Sequence, residues 1–260
     1  MASGVGEDDM MIATDVSFYK NFAFLSLLYY YIPSKKWKLN MMGLLLTLLL
    51  VIIGARRGNV LLFSILVIGA LYYRAKSKSK STRIFVILFS ISTFAIFIYF
   101  ILQSTMSEYL IERGLEDSRS AVENAMLNQM SIEELIIGKG LNGRYFCPIL
   151  EDDYLNGWRY GVETGFYNLV LKGGYLLAIS YVILLVIPAY KGLFKSNNLL
   201  CKAGGFYIVY NLISLWPFGI LAFRLDFFFL WMMIVCCMNK KVRLMTNNQI
   251  KQTFFYNIEK

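Results

Sequence analysis

The chain has 260 residues, of which 57% are hydrophobic, and it carries a formal net charge of +9 at pH 7. It contains no histidine, which excludes Ser-His-Asp and Cys-His catalysis and any zinc site built on histidine ligands. Its four cysteines are Cys147, Cys201 and the adjacent pair Cys236–Cys237, and they predict no disulfide framework.

Long apolar segments run through most of the chain. A bilayer core needs roughly 20 apolar residues per helix, and several segments approach this length. They predict an all-α fold, a polytopic membrane bundle of about seven spans with a long extracytoplasmic loop that contains short helices. The predicted spans cover 18–32, 39–53, 60–73, 84–102, 165–187, 203–219 and 222–238.

The distribution of charge assigns the two sides of the predicted membrane. If 74–83 is cytoplasmic, most of the 26 basic residues fall inside and nearly all of the 17 acidic residues fall outside. This asymmetry predicts the N-terminus outside and the C-terminus inside, and it argues against nucleic acid as a partner. The predicted domains are an extracytoplasmic tail at 1–17, transmembrane blocks at 18–102 and 165–238, an extracytoplasmic loop domain at 103–164, and a cytoplasmic tail at 239–260.

An arginine pair, Arg56 and Arg57, stands in the short hairpin between the second and third predicted spans. The charge rule places this hairpin on the outer side, where basic residues are scarce. Two guanidinium groups at the end of a lipid-embedded hairpin are costly unless an anion lies beside them. The pair is therefore a candidate binding site for an anion.

Within the loop domain, apolar residues at helical spacing predict a helix over Ser118–Met130 and a second one over Ile132–Ile137. Ser120 and Glu123 have the spacing of a capping box, so Glu123 is interpreted as a cap or part of a solvated face. The glycine-rich stretch 138–144 allows close backbone approach, although its spacing is only weakly indicative of a phosphate loop.

Three consecutive carboxylates follow at 151–153. They fit a solvated acidic loop, or a loosely bound divalent cation, because adjacent side chains point in different directions. No further acids lie at EF-hand spacing. No resident metal or cofactor is predicted.

The fifth predicted span opens with Arg159, Glu163 and Tyr167, which share one face if the helix begins near Arg159. They form either part of a site or an interfacial ion pair with a belt tyrosine. Arg224 and Asp226 lie near the outer start of the last predicted span, 222–238, within or beside apolar sequence. They either pair locally, or Arg224 joins an outer cationic cluster.

Arginine dominates the basic residues of the predicted outer side, whereas lysine dominates the inner side. Topology alone does not predict this difference. Guanidinium is planar and always charged, and it suits bidentate contact with phosphate oxygens. The outer arginines therefore predict a clamp for a lipid phosphate or diphosphate: Arg56, Arg57, Arg119, Arg144, Arg159 and Arg224.

Several motifs occur in a characteristic order around the long loop. They are Ala55–Asn59 opening a span, Asp117–Arg119 followed by Ile137–Leu141, and Glu163–Tyr167 followed by Leu171–Tyr175. Their order and spacing resemble the C-terminal portion of the O-antigen polymerase/ligase superfamily, over about 40–240. Members usually have ten or more spans, so we expect further helices upstream. The lack of histidine favours the polymerases over the ligases.

The resemblance implies a metal-independent membrane glycosyltransferase that polymerises oligosaccharide repeats linked to undecaprenyl diphosphate. It implies that Arg57 and Arg119 hold the diphosphate, while Glu163 activates or positions the acceptor. The supporting substrate-binding residues would be Arg56, Arg144, Arg159, Tyr167 and Arg224. Expected partners are the lipid-linked glycan, membrane lipid, a chain-length regulator and a flippase. The expected location is the outer side of the bacterial cytoplasmic membrane, with surface polysaccharide (O-antigen, capsule or exopolysaccharide) as the product.

Three alternatives stay open from the sequence: an O-antigen ligase, a flippase or other transporter of the same lipid-linked glycan, and an inactive truncated remnant. A transporter would usually show internal repeats and ionisable residues deep within several spans. Here the ionisable residues cluster at the ends of the predicted spans. This pattern favours chemistry at the membrane surface.

Overall fold

The computed structural model describes residues 24–53, 57–76, 84, 118–148, 156–217 and 225–255. Of these residues, 78% are helical and 2% lie in strands. The predicted, mostly helical fold is thereby confirmed for the described part of the chain. The two short strands are a departure from the all-α prediction.

Nine α-helices are described, together with a 3₁₀ helix at Phe24–Leu28 and a π-helix at Lys251–Phe255. The α-helices are α1 Ser34–Ile53, α2 Arg57–Lys76, α3 Ser118–Asn128, α4 Ile132–Ile137, α5 Gly165–Phe194, α6 Leu199–Ser214, α7 Leu225–Met238, α8 Lys240–Leu244 and α9 Asn247–Ile250. The strands are β1 Tyr145–Phe146 and β2 Trp158–Arg159.

Two compact units divide the chain. The first unit takes the described residues within Met1–Ser107, Pro188–Tyr210 and Phe223–Lys260, and the second takes those within Glu108–Ile187 and Asn211–Ala222. Helices α5 and α6 each contribute residues to both units. The loop domain predicted from the sequence supplies most of the second unit's polar residues.

In the first unit, α1 and α2 pack against each other and against the 3₁₀ helix around fully buried side chains such as Leu44 and Leu66. A Cβ atom at Gly69 would lie 2.5 Å from the ring of Phe206, so this glycine allows α2 and α6 to approach closely. The Trp37 indole donates to the Ser26 carbonyl at 2.8 Å. These contacts tie the first described helices into one core.

The C-terminal helices α8 and α9 belong to the first unit through side-chain amides. The Asn198 amide donates to the Val242 carbonyl at 2.7 Å, and the Asn247 side-chain oxygen accepts from the Leu199 amide at 2.7 Å. Tyr31 donates to the same Asn247 oxygen at 2.9 Å. The tail predicted at 239–260 is therefore folded onto the unit over its described residues.

The core of the second unit is built from α3, the strands and the first half of α5. Met126, Tyr145 and Leu171 are fully buried in it, together with Cys147 and Val170. Helix α4 has the predicted bounds, and α3 ends two residues before the predicted end. This unit holds the candidate site.

Two helices among the described residues are long and apolar enough to cross a membrane, namely α5 and a window of α2 at Gly58–Ala75. The helices α6 and α7 are apolar but shorter. Helix α1 is not among the candidates, and its first turn carries Lys35 and Lys36.

The arrangement of about seven spans stays a prediction. The first predicted span, 18–32, is described only from residue 24, as a five-residue 3₁₀ helix followed by a turn rather than as a continuous α-helix. The fourth predicted span, 84–102, lies outside the described residues except for Ile84, as does the N-terminal tail at 1–17.

Candidate functional site

A two-stranded ribbon organises the polar residues of the second unit. Strands β1 and β2 pair antiparallel, with Tyr145 opposite Arg159 and Phe146 opposite Trp158. The dipeptide before β2, Asn156-Gly157, has positive φ at both residues, 47° and 80°. Asn-Gly is a sequence signal for a turn with positive φ, and here it ends the connection 147–157 between the two strands.

The outer face of the ribbon is aromatic and exposed. Side chains alternate between faces along a strand, so Arg144 and Phe146 share this face with Trp158 and Tyr160. The Phe146 and Trp158 rings meet edge to face at 5.7 Å. The Arg144 guanidinium carbon lies 4.7 Å from the centre of the Trp158 ring, a cation–π contact. Arg144 is thus held at the surface beside aromatic rings.

On the inner face of the ribbon, two predicted site residues, Arg159 and Glu163, lie near the phenol of Tyr145. Tyr145 is buried, and its hydroxyl donates to the Gly161 carbonyl at 3.1 Å. Burial raises the pKa of Tyr145 to about 12, the Arg159 guanidinium opposes that increase, and the Glu163 carboxylate adds to it. Arg159 and Glu163 therefore both act on Tyr145, which stays neutral at ordinary pH.

The predicted helical face of Arg159, Glu163 and Tyr167 is wrong. Arg159 lies in β2, Glu163 lies in the following loop, and α5 begins only at Gly165. Trp158 and Arg159 cannot begin the helix because they pair with β1. The amide of Gly165 instead donates to the Leu215 carbonyl at 2.9 Å. Glu163 is exposed on this loop.

Glu123 has a role that the sequence did not predict. Helix α3 begins at Ser118, so Ser120 lies inside it and is not its N-cap. The buried Thr164 hydroxyl donates to the Glu123 carboxylate, which also interacts electrostatically with Tyr167. A carboxylate is stabilised beside a helix N-terminus, here that of α5. Glu123 thus links α3 to the start of α5, and the capping box that the structure does show is formed by Ser131 and Glu134.

Helix α5 is interrupted after its first eight residues. Gly173 and Gly174 have non-helical backbone angles, with φ of −140° and +66°. The interruption releases backbone carbonyls that would otherwise accept within the helix. The Lys139 amide donates to the Leu171 carbonyl at 2.8 Å, and the Gly140 amide donates to the Lys172 carbonyl at 3.1 Å. The amides of the glycine-rich loop therefore donate to the carbonyls that the interruption of α5 leaves free.

Close backbone contact is what the glycines of this loop allow. A Cβ atom at Gly174 would lie 2.0 Å from the Ile136 carbonyl oxygen, and one at Gly138 would lie 2.4 Å from the Gly173 nitrogen. The predicted close approach is thus present, and the partner is α5 itself. The Lys139 and Gly140 amides are already engaged there, which argues against a phosphate cradle.

Two lysines fix the same loop. The Lys172 ammonium donates to the Gly143 carbonyl at 2.9 Å, and the Lys139 ammonium donates to the Gln129 carbonyl at 2.9 Å. Lys139 also lies 3.8 Å from the Glu134 carboxylate. The loop is therefore held at both ends by charge-assisted contacts.

The remaining predicted residues are placed only in part. Arg57 and Arg119 lie in the first turns of α2 and α3, in different units, and their side chains lie outside the described residues. Arg56, Arg224 and the carboxylates at 151–153 also lie outside the described residues. The structure thus groups Arg144, Arg159, Glu163 and Tyr167 within the second unit, with Tyr145 and Trp158 as neighbours that the sequence did not predict. In the described part of the chain, no group of three His, Cys, Asp or Glu residues could hold a metal ion.

Comparisons of the chain with protein-family models, curated proteins and solved structures find no match. The class that the described residues define is a mostly helical protein with two helices able to span a membrane. Any functional assignment therefore rests on the chemistry of the second unit and on the motifs of the sequence.

Proposed function

We propose that this protein is a membrane glycosyltransferase that polymerises oligosaccharide repeats linked to undecaprenyl diphosphate, outside the cytoplasm. The observation that carries the proposal is the grouping of Arg144, Arg159 and Glu163 on one ribbon and the loop that follows it. A diphosphate needs cations, and an acceptor hydroxyl needs at most one base. Both kinds of group are present here within one unit.

The reaction requires little beyond these groups. The bond between the sugar's anomeric carbon and the diphosphate oxygen breaks, and the electron pair leaves with undecaprenyl diphosphate. The acceptor oxygen bonds to that carbon and gives its proton to the Glu163 carboxylate. Arginines such as Arg159 would neutralise the charge that develops on the leaving diphosphate, so that no metal is needed.

The outer face of the ribbon suits the acceptor glycan. Phe146, Trp158 and Tyr160 are exposed on it, with Arg144 over the indole ring. Sugar rings have apolar faces that pack on aromatic rings, and their hydroxyls accept hydrogen bonds from guanidinium groups. Arg159 points to the opposite face of the same ribbon, so this face would bind the glycan in the unit that also holds Arg159 and Glu163.

Two of the segments that carry the resemblance meet in the structure. The segments Ile137–Leu141 and Leu171–Tyr175, which carry two of the motifs, contact each other through their backbones. The resemblance assigns Arg57 and Arg119 to the diphosphate, with Arg56, Arg224 and Tyr167 as supporting residues. We retain these roles as part of the proposal, together with a multi-pass location in the bacterial inner membrane.

The proposal is tested by the glycan profile of source cells that lack the gene, resolved on a gel by chain length. A ladder that collapses to one repeat supports a polymerase. Loss of all acceptor-linked glycan, with polymer accumulating on the lipid, would instead identify a ligase. If single repeats also disappear from the outer side, a flippase is indicated, and an unchanged ladder would rule out all three activities.

A further inference from the structure

Helix α4 and the loop after it expose an aliphatic surface outside the candidate site. Ile132 is 79% exposed, Ile136 54%, Ile137 64% and Leu141 87%, and we call these four residues the aliphatic patch. Within α4, Leu135 is the residue that packs toward the core of the second unit. Large aliphatic side chains exposed together in this way mark a surface that has a partner.

The break at Gly173–Gly174 divides α5 into a first part that packs in the core and a second part with an exposed apolar face. Before the break, Leu169, Val170 and Leu171 are buried in the core. After it, the helix exposes apolar side chains such as Leu176 and Ile183 along its length. The second part, about 20 residues from Tyr175 to Phe194, is about 30 Å long, the thickness of a bilayer core.

The aliphatic patch adjoins the point at which the second part of α5 begins. A Cβ atom at Gly174 would lie 2.0 Å from the Ile136 carbonyl oxygen and 2.5 Å from the Ile137 nitrogen. The end of α4 is thus in backbone contact with the residue before Tyr175. Exposed apolar side chains therefore stand on both elements where they meet, Ile136 and Ile137 on α4 and Leu176 on α5.

We propose that the aliphatic patch inserts into the boundary between lipid headgroups and acyl chains, beside the start of the α5 span. The inference rests on the membrane placement in the proposed function, and it identifies a second contact of the chain with lipid. The side chains are aliphatic, as acyl chains require, and α4 contacts a helix that is long enough to span a bilayer. The exposed Glu133 of α4 fits the headgroup level and not the acyl core.

The patch is tested with a fluorescent NBD group attached to cysteines introduced one at a time. Leu141→Cys reports on the patch, Ile183→Cys on the exposed surface of α5, and Asn128→Cys on an exposed polar position at the end of α3. The native cysteines are buried or partly buried, so unsubstituted protein treated with the dye gives the background. Each sample is placed in vesicles of phosphatidylethanolamine and phosphatidylglycerol, with either 5-doxyl lipid or aqueous iodide as the quencher.

We expect doxyl lipid to remove most of the emission at Leu141→Cys and iodide to have little effect. Asn128→Cys should show the opposite pattern. Strong iodide quenching at Leu141→Cys, or protection from both quenchers, would overturn the patch proposal while Ile183→Cys remains lipid-quenched. If Ile183→Cys is also quenched by iodide alone, the membrane placement of α5 fails and the patch proposal fails with it.

Discussion

At the residue scale, single glycines decide whether the glycine-rich loop can meet α5. Gly174 has a φ of +66° and a ψ of −175°, a combination that is nearly restricted to glycine. Gly140 also has a positive φ, +80°, but a Cβ atom there would meet nothing within 4 Å. A side chain at Gly140 would therefore meet backbone strain alone, whereas one at Gly174 would meet both strain and a collision.

Gly174→Ala is predicted to lower the free energy of unfolding by about 3 kcal/mol or more, because strain and collision with Ile136 add together. Gly140→Ala should cost only ~1 kcal/mol, from strain alone. Thermal unfolding in detergent micelles, followed by circular dichroism, measures both. Equal shifts for the two variants would show that the close contact at Gly174 is absent.

Tyr145 gives the second unit a pH dependence. Because burial raises its pKa to about 12 in the folded chain, from an ordinary value near 10.0, ionisation opposes folding. Its contribution to stability is complete below pH 10 and is lost as the pH rises toward 12. Between pH 10 and pH 12 the free energy of unfolding of Tyr145→Phe is predicted to fall less than that of the wild type. At pH 8 the variant should be less stable than the wild type by about 1 kcal/mol, because it lacks the hydrogen bond to Gly161.

Denaturant titrations of the wild type and Tyr145→Phe between pH 8 and pH 12 make this comparison. Tyr160→Phe serves as the control, because Tyr160 lies on the exposed face of the ribbon. It should keep the wild-type slope. A Tyr145→Phe variant with the same slope as the wild type would mean that Tyr145 is not buried as described.

At the element scale, the ribbon depends on one side chain from outside the strands. The Gln129 amide donates to the Phe146 carbonyl at 2.7 Å, and its oxygen accepts from the Phe146 amide at 2.8 Å. The same nitrogen donates to the Ala125 carbonyl at 2.8 Å. The Gln129 side chain therefore pairs with the backbone of Phe146 as a neighbouring strand would, and it fixes β1 to the end of α3.

Gln129→Leu is predicted to leave both backbone groups of Phe146 without this partner and to cost about 1–3 kcal/mol of local stability. Hydrogen exchange at the Phe146 amide should become faster in this variant. Asn128→Ala, at the exposed neighbouring position, should leave that exchange rate unchanged. Unchanged exchange in Gln129→Leu would contradict the role of the side chain.

Elements with strong local signals were predictable from the sequence. Helix α4 has its predicted bounds because its apolar residues and the glycine at 138 mark both ends locally. The start of α5 was not predictable by periodicity, since Trp158 and Arg159 pair with residues more than ten positions earlier. The break at Gly173–Gly174 also depends on distant partners, because the loop at 138–140 satisfies the released carbonyls.

The candidate site was predictable only in part, because it too depends on contacts between residues that are distant in the sequence. The sequence identified Arg144, Arg159 and Glu163 by charge in an outer segment, and the structure places them in one unit. It did not identify Tyr145 or Trp158, because aromatic residues are abundant throughout the chain and only pairing of the strands selects these two. Side chains distributed over separate elements cannot be grouped without that pairing.

At the scale of the whole molecule, the apolar composition indicates a helical protein that enters a membrane. The apolar helices and the candidate site belong mainly to different units. The first unit holds α2 and most of the apolar helices, whereas the second holds the ribbon, the broken part of α5 and the candidate site. We interpret the second unit as the part that acts on the lipid-linked glycan. This interpretation places Glu163 at the centre of the proposed chemistry.

The most direct test of that central claim is the chain length of surface polysaccharide in deletion cells that carry Glu163→Gln at wild-type membrane abundance. Glu133→Gln is the matched control, because Glu133 is an exposed glutamate of the same unit outside the proposed site. We predict that Glu133→Gln restores the full ladder, while Glu163→Gln yields mainly single repeats. A full ladder with Glu163→Gln would contradict the account.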